Sequence, residues 1–259
     1  MNDVLYPCFI RGRILKNSML ENLRDFPRDA VDCQSEDLSN GIISGLTPIV
    51  DKDTITFSKG IIKHKNEILL VRDLTAIQYG ETDNEVAIKL SFTEKEKTSD
   101  FVIQRFDFHI DADTVSKENE IELCRFKLKK GAYLRSDYQG LYDLTTEFNT
   151  INVVHVSYAG YKQPTLSHLI LKYFAKATLG FNTANPLDIS FGLLCLNSTR
   201  IERETILHYL WNRLGLHEYP GGLTNLEIHG MLTNALDVIK KDAVPRKRIV
   251  NKQRMVMMD

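Results

Sequence analysis

The sequence predicts an α+β chain: an antiparallel β-rich N-terminal domain over residues 1–160, built as a meander, sandwich or small barrel, then a C-terminal helical bundle over 161–245. Three observations carry this. Short β-branched runs separated by turn residues fill the stretch from Gly41 to Gly160. After Gly160 the apolar period changes from two to about 3.6. Two Thr-x-x-Glu patterns, Thr199 with Glu202 and Thr224 with Glu227, mark helix starts of the capping-box type.

The first element is read from "NSMLENLRDFPRD". Asn17 or Ser18 can cap a two-turn helix carrying Met19, Leu20, Leu23 and Phe26, which Pro27 would end and which would pack against a sheet. From Gly41 the runs "GIISGLTPIV", "DTITFS", "GIIKHK", "EILLVRD" and "LTAIQYG" read as strands, because the links between them are too short for helical crossovers. Ile55–Phe57, Ile61–Lys63 and Glu67–Leu70 are expected to form one tight antiparallel unit. Longer strands follow at "EVAIKLSFTE", "DFVIQRFDFHID" and "IELCRFKLKKGAY". In the second, the apolar residues do not keep one parity, which fits a bulge near Gln104 or a strand covered on both faces. "TINVVHVSYAG" is expected to close the β-rich part as a strand.

The helical half begins with "QPTLSHLILKYFAKATLG", which places Leu166, Leu169, Ile170, Tyr173, Phe174 and Ala177 on one stripe and stops at Gly180. Asn185 and Pro186 suit the cap and first position of a further helix, although Gly192 lies inside it. The helices after Thr199 and Thr224 complete the bundle. Residues 246–259 leave it as a basic and apolar tail.

Composition excludes several classes. With 43% hydrophobic and 26% charged residues the 259-residue chain has the profile of a globular protein rather than a disordered one. No apolar stretch approaches the ~20 residues needed to span a bilayer, and the first residues lack a secretory pattern, so a cytoplasmic location with no membrane partner is expected. Cys8, Cys33, Cys124 and Cys195 are too scattered for a zinc knuckle or a redox dithiol and read as buried, reduced thiols. The net charge of -1 conceals a split: residues 1–160 carry 20 Lys+Arg against 26 Asp+Glu, while residues 161–259 carry 13 against 8.

No catalytic or cofactor motif is complete. A phosphate loop needs glycines, a lysine and a hydroxyl at fixed spacing, and "YPGGLTNLE" offers only glycines before a helix. The seven histidines form no His-x-x-x-His pair, and "HID" at 109–111 supplies one imidazole and one carboxylate. Ser-Gly combinations lack nucleophile-elbow spacing. A carboxylate-dependent hydrolase stays open, because two carboxylates can be brought together by the fold alone. The expectation is no enzyme, no catalytic residue, no metal and no cofactor.

The tail is the candidate partner-binding segment. Arg246, Lys247, Arg248, Lys252 and Arg254 alternate with Ile249, Val250, Met255, Val256, Met257 and Met258. Basic residues can contact nucleic-acid phosphates, so a nucleic-acid-binding regulator is the alternative reading. The many apolar residues and the lack of stacking aromatics favour a protein partner.

Leu38 to Val71, "LSNGIISGLTPIVDKDTITFSKGIIKHKNEILLV", resembles N-terminal modules of phage tail-fibre and baseplate proteins, in which a Gly-Ile-x-x-Gly-Leu run leads to a strand, a glycine turn and a strand ending in an apolar pair. The opening "YPCFIRGRILKNSMLENLRDFPRD" is similar to that of small proteins from phage and phage-tail-like particle clusters. The resemblance spans about the first 75 residues and carries no catalytic residues. It implies a non-enzymatic structural or adaptor subunit, baseplate-associated or attaching a tail fibre. Its partners would be other particle subunits in a homo- or hetero-oligomer. It would be cytoplasmic during assembly and later part of a virion or tail-like particle.

Overall fold

Helix α1 (Asn17–Gln34) opens the computed structural model of the chain, which describes residues 4–243. α1 is eighteen residues long and runs through Pro27 rather than ending there. A proline forfeits one hydrogen bond and usually kinks a helix, yet α1 continues through it at an exposed position. Lys16, not Asn17 or Ser18, is the cap residue, and no side chain caps this end.

Antiparallel sheets make up the N-terminal half and helices the C-terminal half, as expected of an α+β chain. Strands β1 (Gly41–Gly45) and β2 (Pro48–Val50) pair with β4 (Gly60–His64) and β3 (Thr54–Phe57) respectively. β5 (Glu67–Val71) joins β4, and β6 (Thr75–Gln78) joins β3, giving sheets of order β1-β4-β5 and β2-β3-β6. The expected single unit of Ile55–Phe57, Ile61–Lys63 and Glu67–Leu70 is therefore split between two sheets.

The cause is a corner in place of a turn. Residues 41–50 and 54–64 form one two-stranded ribbon that bends where Gly45 faces Gly60, and the bonds Leu46 N–H to Lys59 O and Ser58 N–H to Thr47 O carry the pairing around the bend. Gly45 has φ +72°, and a Cβ there would lie 1.9 Å from the Lys59 carbonyl oxygen, so only glycine fits. The true tight turn follows β4, where Lys65 and Asn66 both take positive φ in a two-residue hairpin loop.

A third sheet has the order β10-β7-β11, from β7 (Val86–Phe92), β10 (Phe106–Asp111) and β11 (Glu120–Phe126). Between β7 and β10 lies a small hairpin of β8 (Glu96–Lys97) and β9 (Val102–Ile103). The irregularity expected near Gln104 is a break: the chain leaves β9, and Arg105 N–H bonds the Thr93 hydroxyl before β10 begins. Residues 151–160 make only isolated bridges, not the expected strand. Asn152 pairs with Arg125 through both backbone bonds, then its side chain accepts from Val154 N–H and a turn closes from Val156 to Val153. That local bonding competes with a ladder.

α2 (His168–Gly180) starts at a Ser167 cap and stops at Gly180. α3 (Pro186–Asn197) has Asn185 as cap and Pro186 in its first turn, as expected. Gly192 is tolerated inside α3 because a Cβ there would press on Leu179 of α2 at 3.1 Å. α4 (Arg203–Leu214) begins three residues later than the Thr199–Glu202 box predicts, with Glu202 as cap and no side-chain cap bond. The Glu202 carboxylate instead accepts from Tyr161 N–H at 2.6 Å and Arg200 Nε at 2.9 Å. α5 (Asn225–Lys241) has the reciprocal Thr224–Glu227 box in full.

One hydrophobic cluster runs from Ile55, Ile62 and Leu90 in the sheets to Ile170, Leu210 and Leu232 in the helices. Polar bonds cross the same boundary: Asn225 Nδ2 donates to Val156 O at 2.9 Å, and His229 Nε2 lies 3.0 Å from Leu141 O. Burial holds the His229 pKa below the usual 6.5, outweighing the bond to Leu141. Burial lowers His64 and His155 as well. For a base whose folded pKa is depressed, stability is complete above the unfolded value and is lost as pH falls below it, because the unfolded chain protonates first. Urea unfolding at pH 7, 6 and 5 should show stability dropping below pH 6.5. His229→Gln, which can keep a donor toward Leu141 O, is expected to flatten that slope by up to one proton, at most about 1.4 kcal/mol per pH unit. An unchanged slope would show that His229 is not among the groups responsible.

Candidate interaction surfaces

The apolar residues of α1 recur at helical spacing: Met19, Leu20, Leu23, Phe26, Ala30 and Val31 share one face. That face was expected to pack on a sheet. Instead no residue of α1 is buried, and Leu23 and Phe26 are 56% and 53% exposed. The segment before it is apolar and open too, with Tyr6, Phe9, Ile10 and Ile14 exposed. Tyr6 folds back to put its ring 6.1 Å from that of Phe26, so arm and helix form one surface.

What holds α1 to the body is its C-terminal end. Lys63 of β4 is buried, and its ammonium donates to the carbonyls of Ser35 at 2.5 Å and Glu36 at 2.7 Å, just past the last turn. A cation there satisfies orphan carbonyls and complements the helix dipole. α1, about 27 Å long at 1.5 Å per residue, is thus anchored at one end with its apolar side uncovered. From residue 4 to 20 the charged side chains are Arg11, Arg13 and Lys16, with no carboxylate.

A second open surface is a groove of about 810 Å³ between α3 and α4. Arg213 and Tyr209, late in α4, both bond Asp188 at the start of α3, so the two helices run antiparallel. Leu187 and Asn212 border one end of the groove, and Leu194, Glu202 and Glu204 line it toward the other.

Unlike Lys63, the buried Lys89, Glu122 and Asp188 are each paired with an opposite charge. Lys89, fully buried in β7, has its ammonium 2.8 Å from Asp111 and 3.3 Å from Glu120. Burial works against its charge, yet the two carboxylates prevail and its pKa is raised. His109 joins these carboxylates in a cluster whose ligand atoms lie within 4.8 Å of one another. Sequence spacing gave only the His109–Asp111 half, since Glu120 arrives from a different strand. The Lys89 ammonium already supplies the positive charge that a metal ion would bring.

Asp188 is wholly buried and accepts from Tyr209 OH, Thr183 Oγ1 and Arg213 Nε. Arg125 is held by Glu122, and Arg135 by Asp143. Each of these carboxylates is locked to a guanidinium, an arrangement that fixes structure rather than freeing a group for proton transfer. Cys124 and Cys195 are buried thiols, and burial pushes Cys195 up to about 12. Cys8 and Cys33 are exposed, contrary to the expected burial, because both lie on the uncovered arm and α1.

The tail residues Arg246, Lys247, Arg248, Ile249, Val250, Lys252, Arg254, Met255, Met257 and Met258 lie outside the described residues. No helix among the described residues is long and apolar enough to cross a membrane.

No family model matches this chain, and no curated protein matches it. Among solved structures it is similar to the crystal structure of TssK, with a TM-score of 0.44 and 8% identity over 94% of this chain and 73% of that one. It is also similar to a chain of the type VI secretion system TssK-TssF-TssG baseplate subcomplex seen by cryo-electron microscopy, with a TM-score of 0.38 and 8% identity over 91% of this chain and 100% of that one. Likeness at this level is one of coarse layout and assigns no role.

Proposed function

We propose that this chain is a non-enzymatic adaptor subunit of a multi-protein particle, held there by burial of the arm and the apolar face of α1 against another subunit. The uncovered α1 face carries the reading. A helix with one apolar stripe gains most of its stability by packing that stripe, and here none of the described residues covers it. A contiguous exposed apolar surface of this kind marks an interaction site. With Arg11, Arg13 and Lys16 at its edge, the matching site is an apolar groove bordered by carboxylates.

The resemblance of residues 38–71 to tail-fibre and baseplate modules supports a phage tail or contractile tail-like particle as the setting, with the chain at or near the baseplate. Purifying the tagged full chain from its producing cells, at low and then at high salt, tests this. Retention of a large protein particle at high salt is expected, because apolar burial is not screened. Recovery of nucleic acid that is lost steeply with salt would favour the regulator reading instead.

A further inference from the structure

The sequence of α3, "PLDISFGLLCLN", is apolar on every side, which predicts a helix covered all round. One side is covered: Phe191 stacks on Tyr209 at 4.0 Å between ring centres, and Cys195 is fully buried. The other side is open, with Leu187 38% and Leu194 41% exposed along the α3–α4 groove. Glu202 is already bonded by Arg200 and Tyr161 N–H, so a segment that fits there needs apolar side chains for the leucines and a cation for Glu204.

The described chain ends beside this groove. Just after α5, Asp242 accepts from Arg213 Nη2 at 2.8 Å, and Arg213 Nε reaches Asp188 at 2.9 Å. Leu187 and Asn212, the sequence neighbours of Asp188 and Arg213, border the near end of the groove. Residues 246–259 follow within a few positions. They carry Ile249, Val250 and Met255 among Arg246, Lys247 and Arg248. Fourteen residues can extend over up to about 46 Å, whereas α3 is about 18 Å long, so reach is not limiting. A segment tethered at the mouth of its site binds at a high effective concentration, on the order of millimolar.

We propose that residues 246–259 fold back into the α3–α4 groove of their own chain, with Ile249 and Val250 over the leucines and the basic residues toward Glu204. The partner of the basic tail is then the chain's own helical half. This concerns a surface separate from α1, so either proposal can fail without the other.

Limited trypsin digestion of the full chain, followed by intact mass, reads the state of the tail through its five Lys and Arg sites. Cleavage there should be about tenfold faster in Leu194→Glu than in the wild type, since loss of about 1.4 kcal/mol of docking opens the tail that much more often. Leu194 is partly exposed, and unchanged melting would confirm that the variant folds. Val250→Asp, outside the described residues, should give the same acceleration. Equal cleavage rates in all three proteins would overturn the proposal. Protection that grows with protein concentration would overturn it too, by assigning the groove to the tail of a second copy.

Discussion

Replacing Leu23 and Phe26 together by Asp should lower recovery of the chain with its particle by at least about thirtyfold, the effect of removing one good interface anchor worth about 2 kcal/mol. The same double variant should keep the wild-type urea midpoint. Both side chains lie more than half exposed on a helix with no buried residue, so among the described residues their loss removes little packing beyond the Tyr6–Phe26 ring contact. Exposed substitutions of this kind usually change stability by about 0.5 kcal/mol or less. Reduced recovery with unchanged stability separates a docking role from a folding role. A parallel fall in stability would mean that α1 packs on the chain's own body.

The second large effect is on folding. Asp188→Ala is expected to destabilise the chain by about 3–5 kcal/mol, read from urea unfolding, because it leaves a buried guanidinium without its carboxylate. Arg213 has only 9% of its side chain exposed, and Tyr209 OH and Thr183 Oγ1 also lose their acceptor. Burial opposes the Arg213 charge, while Asp242 and Asp188 together hold its pKa raised. Asp242 is 56% exposed and cannot take over the buried end of the pair. Adding Arg213→Met to Asp188→Ala should recover part of the loss, since an apolar side chain leaves no orphaned charge. A single-variant loss below about 1 kcal/mol would show that water reaches Arg213 freely.

Local signals were legible where the chain had no competing use for the residues. The Thr224–Glu227 box and the Asn185–Pro186 start both appear as expected, because no other described residue competes for those side chains. The same motif at Thr199–Glu202 failed because Tyr161 N–H and Arg200 claim the carboxylate, contacts that no local window contains. The strands around Ile55 and Ile62 were found, but not their separation into two sheets. Ser58-Lys59-Gly60 reads as a turn, and only the facing Gly45 makes it a corner.

The candidate surfaces divide in the same way. The apolar stripe of α1 was visible in "SMLENLRDF", yet periodicity reports that a face is apolar, not what covers it. Burial within the chain is the default inference, and the described residues leave the face open. The joining of His109 and Asp111 to Glu120 and Lys89, and of Asp188 to Arg213, depends on pairing across strands and helices far apart in sequence. Residue spacing carries no trace of it.

The central claim is that α1 is covered by a different subunit. A photo-crosslinking amino acid placed at position 23 of the full chain, activated in the producing cells and followed by mass spectrometry, tests it directly. The account predicts a crosslinked product of higher mass containing a second, different protein, reduced when Arg11, Arg13 and Lys16 are reversed in charge. Crosslinks confined to residues of the same chain would contradict it.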